Sequence, residues 1–162
     1  MLRDTLGKEK FYEDILEFSK SSLGDRVVGI VLFGSYVYLG HGKDVDLLII
    51  ISRELDLKEK FSLERTFSRD LRKKVGDFIF DVHILGVKEF EENLRPGSFL
   101  SGLALGYEVL YDRIGLEEKI LAFLERLSRT KYVLHNRHGS WDLSHMARIM
   151  LKIKRKNRNV AL

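Results

Sequence analysis

Hydrophobic residues along the chain alternate between two kinds of segment. In one kind, apolar positions recur every three or four residues, which predicts helices. In the other, short runs rich in Val, Ile and Leu indicate strands. The predicted helices cover residues 8–23, 55–74, 87–94 and 116–127, with a short one after Gly97 and a last one that begins near Ser140. The predicted strands cover residues 27–33, 45–52, 78–85 and 107–111.

The order of these elements indicates the fold class. Helices and strands are interspersed, and short connections join the first two strands, which predicts an α/β (α+β) fold. We expect a mixed β-sheet with flanking helices packed mainly on one face, followed by a C-terminal helical extension from about Gly115. The length of 162 residues suits one compact domain with such an extension.

Composition restricts the possible environments and chemistry. No apolar run approaches the roughly 18 residues of a membrane span, and no signal peptide is recognisable, so we expect a cytoplasmic location. The chain has no cysteine, which excludes disulfides, thiolate metal sites and a cysteine nucleophile. Gln is absent and Lys, Arg and Glu are abundant, which is typical of proteins from thermophiles.

Charge is distributed unevenly along the chain. Residues 131–162 carry a net charge of +7, whereas the preceding residues carry −3. This basic tail either binds an acidic or phosphate-bearing partner or is a solvated helix surface. Its aromatic residues, Tyr132 and Trp141, either stack on RNA or anchor a helix to the core. An apolar stripe in the last helix either packs on the core or docks on a helical partner, and it consists of Met146, Ile149, Met150 and Ile153.

Two carboxylates stand at the start of the second predicted strand. Asp44 and Asp46 flank Val45, and an apolar run follows. Side chains alternate between the faces of a strand, so the two acids point the same way and Val45 points to the opposite face. Both can reach one Mg²⁺, a hard ion that prefers oxygen ligands and accepts others from nucleotide phosphates. Alternatively, Asp44 is simply a turn or strand-start residue.

A third carboxylate, Asp81, lies inside the third predicted strand among large apolar residues. Burying a carboxylate is costly unless a cation or hydrogen bonds compensate. A metal ion is one such partner, and two ions held by carboxylates promote in-line displacement at phosphorus. We expect Asp81 to bind the metal of the attacking group and to accept its proton. Alternatively, it pairs with a Lys or Arg from a neighbouring helix.

Gly34 and Ser35 follow the first predicted strand and are placed to open a short helix or turn. Glycine lets a phosphate approach the backbone closely, amides at a helix start attract anions, and the hydroxyl adds a donor. Gly-Ser pairs are common in loops. The significance of this one comes from the strand before it and from the two acids that follow nine and eleven residues after Ser35.

These motifs together resemble the minimal nucleotidyltransferases of the polymerase-beta superfamily. The matching residues are Leu32-Phe33-Gly34-Ser35, then Asp44-Val45-Asp46-Leu47-Leu48 after eight intervening residues, and Asp81 at the third acidic position. The resemblance covers about residues 8–112 and includes a final segment, 106–112, that is similar to the last core strand of the family. The loop after Ser35 is slightly shorter than the common form, and Lys43 stands where a Ser often precedes the first acid.

The resemblance implies a polymerase-beta-type nucleotidyltransferase domain over residues 1–114 and a helical extension with a basic tail over residues 115–162. It implies Mg²⁺-dependent transfer of a nucleoside monophosphate from an NTP to an acceptor hydroxyl, with AMP and ATP as the expected case. The three acids would hold two Mg²⁺ ions. The implied catalytic and metal-binding residues are Asp44, Asp46 and Asp81, and the triphosphate would be held by Gly34 and Ser35.

The resemblance also makes a protein acceptor plausible, because such domains modify helical HEPN partners in toxin–antitoxin pairs. RNA and small molecules are the alternative acceptors. A competing hypothesis is a catalytically silent module that keeps the fold while its basic tail engages RNA or a protein.

Other polar residues have both a functional and a structural interpretation. His83 faces the same side as Asp81 and is either a site residue or a structural histidine. His41 and Lys43 lie in the Gly-rich loop; either could approach phosphates, Lys43 by neutralising their charge, or be exposed surface residues. The other histidines are too irregularly spaced to predict a zinc site without cysteine or a nearby Glu. They are His135, His138 and His145.

Overall fold

A four-stranded mixed sheet forms the centre of the structure, a computed structural model that describes residues 2–136 and 139–161. The strand order is β3-β2-β1-β4, in which β1 is antiparallel to β2 and β4, and β2 is parallel to β3. All four predicted strands are confirmed. Their bounds are β1 Val27–Phe33, β2 Asp44–Ile51, β3 Ile79–Gly86 and β4 Tyr107–Asp112.

Six α-helices and a short hairpin accompany this sheet in the described part of the chain. The helices are α1 Leu2–Leu23, α2 Ser35–Leu39, α3 Leu57–Val75, α4 Val87–Asn93, α5 Leu116–Ser128 and α6 Leu143–Ala161. Two 3₁₀ helices cover Gly24–Arg26 and Phe99–Ala104, the second where a short helix was predicted. The hairpin pairs β5 Val133–Asn136 with β6 Gly139–Asp142.

The helices cover both faces of the sheet, so the expectation that they pack mainly on one face is wrong. One face packs against α1 and α3. The other packs against α4, the second 3₁₀ helix, α5 and α6. Every residue of β1 is buried, as is typical of a strand that is covered on both faces. A continuous apolar run has no alternation from which one-sided packing could be inferred.

The start of the last helix was also predicted wrongly. Ser140 lies in β6, and its hydroxyl is 2.7 Å from His135 Nδ1. The carboxylate of Asp142 instead accepts the backbone N–H of His145 at 2.9 Å, so Asp142 caps α6. The sequence did not predict the hairpin because its residues do not alternate between apolar and polar. All four residues of β6 are exposed.

Basic side chains of the tail fasten α6 to the rest of the molecule. Lys154 Nζ donates to the carbonyl of Tyr107 at 2.9 Å and lies 4.2 Å from the centre of its ring. Arg155 and Arg158 pair with acids of α5, and Arg148 donates to the carbonyl of Ser128. The helix α6 therefore continues through residue 161. None of the helices in the described ranges is both long and apolar enough to cross a membrane.

The free edge of β3 is partly covered by side chains from α3. Ser68 Oγ donates to the carbonyl of Phe80 at 2.8 Å, and Glu64 Oε1 accepts the N–H of Ile84 at 2.9 Å. Unpaired backbone groups on an edge strand can pair with another chain. These two contacts occupy such groups on either side of Val82, and they hold α3 against the strand that carries Asp81.

Asp112 connects the end of β4 to the start of α5. Its Oδ1 accepts the N–H groups of Ile114 at 3.0 Å and Leu116 at 2.8 Å, and its Oδ2 accepts that of Glu117 at 3.1 Å. Desolvation raises the pKa of Asp112, but the hydrogen bonds from these backbone amides outweigh it and the net pKa is lowered. The carboxylate therefore caps α5 in its charged form.

We expect Asp112→Ala to lower the free energy of unfolding by about 1 kcal/mol at neutral pH, as for the loss of a helix cap. Because the folded-state pKa is depressed, this stabilisation is present above the unfolded pKa of about 3.9 and is lost as the pH falls through the folded value. Urea unfolding at neutral pH and in strong acid would test both points. Asp25→Ala, at another exposed acid, is the control, and equal losses for the two variants would contradict the prediction.

Candidate active site

Three carboxylates lie on one face of the sheet, on the neighbouring strands β2 and β3. Asp46 of β2 is the register partner of Asp81 on β3, and Asp44 is two residues before Asp46. Partners in adjacent strands project to the same face, as do residues two apart on one strand. Among the described residues, Asp81 pairs with neither lysine nor arginine; its nearest polar partner is the ring of His83. The shared face of Asp44 and Asp46 that strand alternation predicted is thus observed, and Asp81 lies on it as well.

The burial of Asp81 differs from the expectation. Its side chain is 68% exposed, so the argument that it needs a partner to offset desolvation is wrong. Apolar neighbours along the sequence, Phe80 and Val82, point to the opposite face and are buried there. Asp81 itself projects toward the open end of the other face, where water reaches it.

Asp46 is the most perturbed of the three acids. Desolvation raises its pKa to about 6, and the negative charges of Asp81 and Asp44 add to the shift. Both neighbours are therefore close enough to repel it. Within the described ranges, neither Asp44 nor Asp46 has a Lys or Arg ion-pair partner to offset this repulsion.

Gly34 brings the backbone of the turn after β1 against Asp46. Its φ of 81° lies in the region that favours glycine, and a Cβ at this position would overlap Asp46 Oδ2. The Gly34 N–H donates to the carbonyl of Gly106 at 3.0 Å, which ties the turn to the residue before β4. Ser35 opens α2 and is exposed, as expected for a residue at the start of a short helix.

His83 lies one layer deeper on the same face. Its Nε2 is 3.5 Å from Asp81 Oδ2. Desolvation lowers the pKa of His83, Lys60 lowers it further, and Asp81 partly opposes both. Its ring is stacked on Phe99 at 4.5 Å between centroids. His83 is therefore a half-buried ring that connects Asp81 to the second 3₁₀ helix.

The loop between α2 and β2 carries the other candidates. Lys43 and His41 are exposed beside Asp44 and α2, respectively, and the carbonyl of Lys43 accepts the N–H of Ile79 at 2.8 Å. This bond holds the loop against the start of β3. His135 and His145 lie on the hairpin and α6, and His138 lies outside the described residues. No zinc site was predicted there.

The fit of a divalent cation can be judged from the donor set. Among the residues that the structure describes, no three His, Asp or Glu side chains lie close enough together to cage a metal ion. Three carboxylates that share one face and lack a Lys or Arg partner among the described residues, with the pKa of Asp46 raised by desolvation and by the other two, are nevertheless chemically suited to a hard cation. Binding would require side-chain rotation toward a common point, which the exposure of Asp44 and Asp81 permits.

Phe99 was not identified from the sequence. It follows Pro96-Gly97 in a segment predicted only as a short helix, and its contact with His83 joins residues that are 16 positions apart. Nothing in the local pattern distinguishes it from the buried residues of the same helix, such as Leu100 and Leu103.

Comparisons with known proteins returned solved structures alone. No protein-family model matches the chain, and no curated protein matches it. A complex of a tri-AMPylated Shewanella oneidensis HEPN toxin with an MNT antitoxin is similar at 15% identity and a TM-score of 0.46, over 73% of this chain and 84% of that one. A toxin–antitoxin structure with AMP-PNP is similar at 17% identity and a TM-score of 0.47, over 71% and 85%. The toxin–antitoxin MntA–HepT complex is similar at 15% identity and a TM-score of 0.44, over 73% of this chain and 85% of that one.

Proposed function

We propose that this chain is a nucleotidyltransferase that moves a nucleoside monophosphate, AMP from ATP, to an acceptor hydroxyl. The observation that carries the proposal is the row of Asp44, Asp46 and Asp81 on one face of the sheet, with Asp46 against the glycine turn at Gly34. Acidic side chains beside a backbone turn that a phosphate can approach are the two parts that transfer from a triphosphate requires.

Asp44, Asp46 and Asp81 would hold two Mg²⁺ ions. When bound, such ions neutralise charge on the phosphates and lower the pKa of an attacking oxygen. The proposal is supported by the three acids that share this face, where desolvation and the charges of Asp81 and Asp44 raise the pKa of Asp46. Without a counter-charge, the three carboxylates repel one another, so the face favours binding of a cation.

Gly34 and Ser35 would position the β and γ phosphates: the exposed hydroxyl of Ser35 would contact them, and Gly34, whose own N–H is bound to Gly106, would shape the turn. Lys43, exposed beside Asp44, would neutralise part of the phosphate charge. Asp81 would accept the proton of the acceptor hydroxyl. The acceptor oxygen forms a new bond to the α phosphorus, the bond to the β-phosphate oxygen breaks, and pyrophosphate leaves.

We propose a protein acceptor of the HEPN type rather than RNA. The basic tail is the feature that favoured RNA, but Arg148, Lys154, Arg155 and Arg158 make contacts within the fold. The outer face of α6 exposes apolar residues instead, including Ile149 and Ile153. Met146 and Met150, which the sequence placed in the same stripe, are partly buried against the core. An exposed apolar face suits a protein contact better than a phosphate backbone.

We also propose the division into a catalytic unit, residues 1–114, and a helical extension, residues 115–162. All the candidate ligands lie in the first unit. The extension packs on the same face of the sheet as the carboxylates, because α5 and α6 share a core with Phe33 and Leu48. Its role would be to support that face and to present the outer surface of α6.

The central test is transfer of label from α-labelled ATP with Mg²⁺ to candidate acceptors: a HEPN-type protein, RNA and small hydroxyl compounds. We expect label on the protein. Asp46→Asn and Asp81→Asn each remove a ligand charge while keeping the side-chain shape, so we expect each to reduce transfer by about 100-fold or more. Asp77→Asn changes an exposed acid that pairs with Arg72 near the start of β3, and we expect it to retain activity.

Equal activity in all three variants would reject the metal-binding role of the acids. Absence of label on every acceptor, together with calorimetric binding of ATP and Mg²⁺, would favour the silent binding module. Removal of Mg²⁺ with a chelator should abolish transfer by the wild-type chain, and activity that persists would reject the proposed metal dependence.

A pair of glycine variants tests the close approach at the turn. Gly34→Ala would place a Cβ on Asp46 Oδ2, whereas Gly76→Ala, at the end of α3, would meet no atom within 4 Å. Gly34 (φ 81°, ψ −155°) and Gly76 (φ 121°, ψ −159°) both have a backbone conformation that L residues rarely adopt, so both substitutions carry a backbone cost. We expect Gly34→Ala to reduce transfer by about 100-fold, because displacement of a catalytic group by about 1 Å has this effect, and Gly76→Ala to stay within a few-fold of wild type. Similar losses in both would show that backbone strain alone is responsible.

RNA binding provides a further prediction. Among the described tail residues, Lys131, Lys152 and Lys156 make no hydrogen bond or ion pair, so about three phosphates could be contacted. We expect weak binding to single-stranded RNA, with log K falling by about 2 per tenfold rise in salt. Fluorescence anisotropy measured over a salt series would give this slope. Tight binding with a slope of about −4 or steeper would instead support the RNA-binding module.

A further inference from the structure

We propose that the exposed face of Phe99 stacks on the nucleobase of the donor nucleotide, an inference that rests on the nucleotidyltransferase function proposed above. It assigns a base-binding subsite to the region between the second 3₁₀ helix and the C-terminal hairpin. A purine would make the larger stacking contact, so the subsite predicts preference for purine over pyrimidine nucleotides.

Phe99 is unusually exposed for its position. It opens the 3₁₀ helix Phe99–Ala104, in which Leu100, Leu103 and Ala104 are fully buried. Its own side chain remains 40% exposed, although a large aromatic ring gains more from burial than any of these neighbours. One side of the ring is occupied by His83, stacked at 4.5 Å with 28° between the planes.

The His83–Phe99 ring pair extends from Asp81 to the second 3₁₀ helix. His83 Nε2 is 3.5 Å from Asp81 Oδ2, and Phe99 lies on the His83 ring. A ligand whose phosphates lie beside Asp46 and Asp81 would therefore have an aromatic surface on the far side of the His83 ring. Nucleotides present this combination, with anionic phosphates at one end and a flat base at the other.

A small apolar cavity adjoins Phe99 on the side of the hairpin. Its volume is about 320 Å³, and its lining includes Gly97, Phe99, Tyr132, Leu134 and Leu143. Ligand pockets in proteins span about 300–1,000 Å³, so this one is at the small end and suits a base rather than a whole nucleotide. Its lining contains no charged side chain. The triphosphate would accordingly stay on the acidic face, and only the uncharged ring would enter.

Two polar groups at the rim are already engaged. Ser98 Oγ donates to the carbonyl of Asn93, and Ser101 Oγ accepts the N–H of Gly97 at 3.1 Å. The cavity therefore offers mainly stacking and apolar contact, with the Tyr132 hydroxyl as one further polar group in its lining. This favours discrimination by ring size rather than by the pattern of donors and acceptors.

The experiment compares ATP with inorganic tripolyphosphate, which has the phosphates and lacks the base. Calorimetry with Mg²⁺ would measure the affinity of each ligand for wild type, Phe99→Ala and Phe99→Leu. We expect both variants to bind ATP about tenfold more weakly, the lower range for loss of a stacked base, while tripolyphosphate affinity is unchanged. Phe99→Leu keeps an apolar side chain but has no flat aromatic face. Unchanged binding of tripolyphosphate shows that each variant is folded.

Phe61→Ala is the matched control, because Phe61 is an exposed aromatic on α3, away from the acidic face. It should bind both ligands as wild type does. We also expect wild type to bind ATP more tightly than UTP, and Phe99→Ala to reduce this difference.

Unchanged ATP affinity in Phe99→Ala would overturn the base subsite while leaving the proposed transferase intact. If only the KM for the acceptor rose, the ring would serve the acceptor, which also overturns the inference. Equal weakening of ATP and tripolyphosphate would attribute the effect to disturbance of the acidic face. A wild-type chain that binds neither ligand would overturn both the subsite and the proposed function.

Discussion

The register between β2 and β3 is the constraint on which the rest of the structure depends. It places Asp46 beside Asp81, so two carboxylates lie next to each other on one face of a sheet that is otherwise packed with apolar residues. A slip of one residue would move the apolar side chains of β2 to the wrong layers and would point Asp46 away from Asp81. Burial of both layers therefore keeps the acids side by side, and the pKa of Asp46 is raised, chiefly by desolvation and further by the charges of Asp81 and Asp44.

The surroundings of this acidic face are organised by close backbone approach and by ring contacts. Gly34 allows the turn after β1 to lie against Asp46, and its N–H is held by Gly106 before β4. The His83 ring links Asp81 to Phe99 in the 3₁₀ helix. Elements that are distant in sequence thus meet at one end of the sheet, where each contact limits the movement of an acid or of the turn beside it.

The basic tail illustrates how a charge pattern can serve the fold. Its net charge of +7 is consistent with an acidic partner, yet four of its basic side chains contact α5 or β4. Acids on α5, Glu118 and Glu125, belong to the part of the chain with net negative charge. The asymmetry between the two parts therefore contributes to their association, and the exposed surface of α6 that remains is a mixture of lysines and apolar residues.

The sequence alone determined the elements and the facing of the key acids. Strand alternation placed Asp44 and Asp46 on one face, and the apolar runs located all four strands, because these signals depend on local geometry. The sequence could not determine that helices cover both faces, that Asp81 is exposed, or that Asp142 rather than Ser140 caps α6. The tertiary structure also decided the contact of Gly34 with Asp46 and the stacking of Phe99 on His83. These features depend on strand order and on contacts between distant segments, for which a local pattern of apolar and polar residues contains no signal.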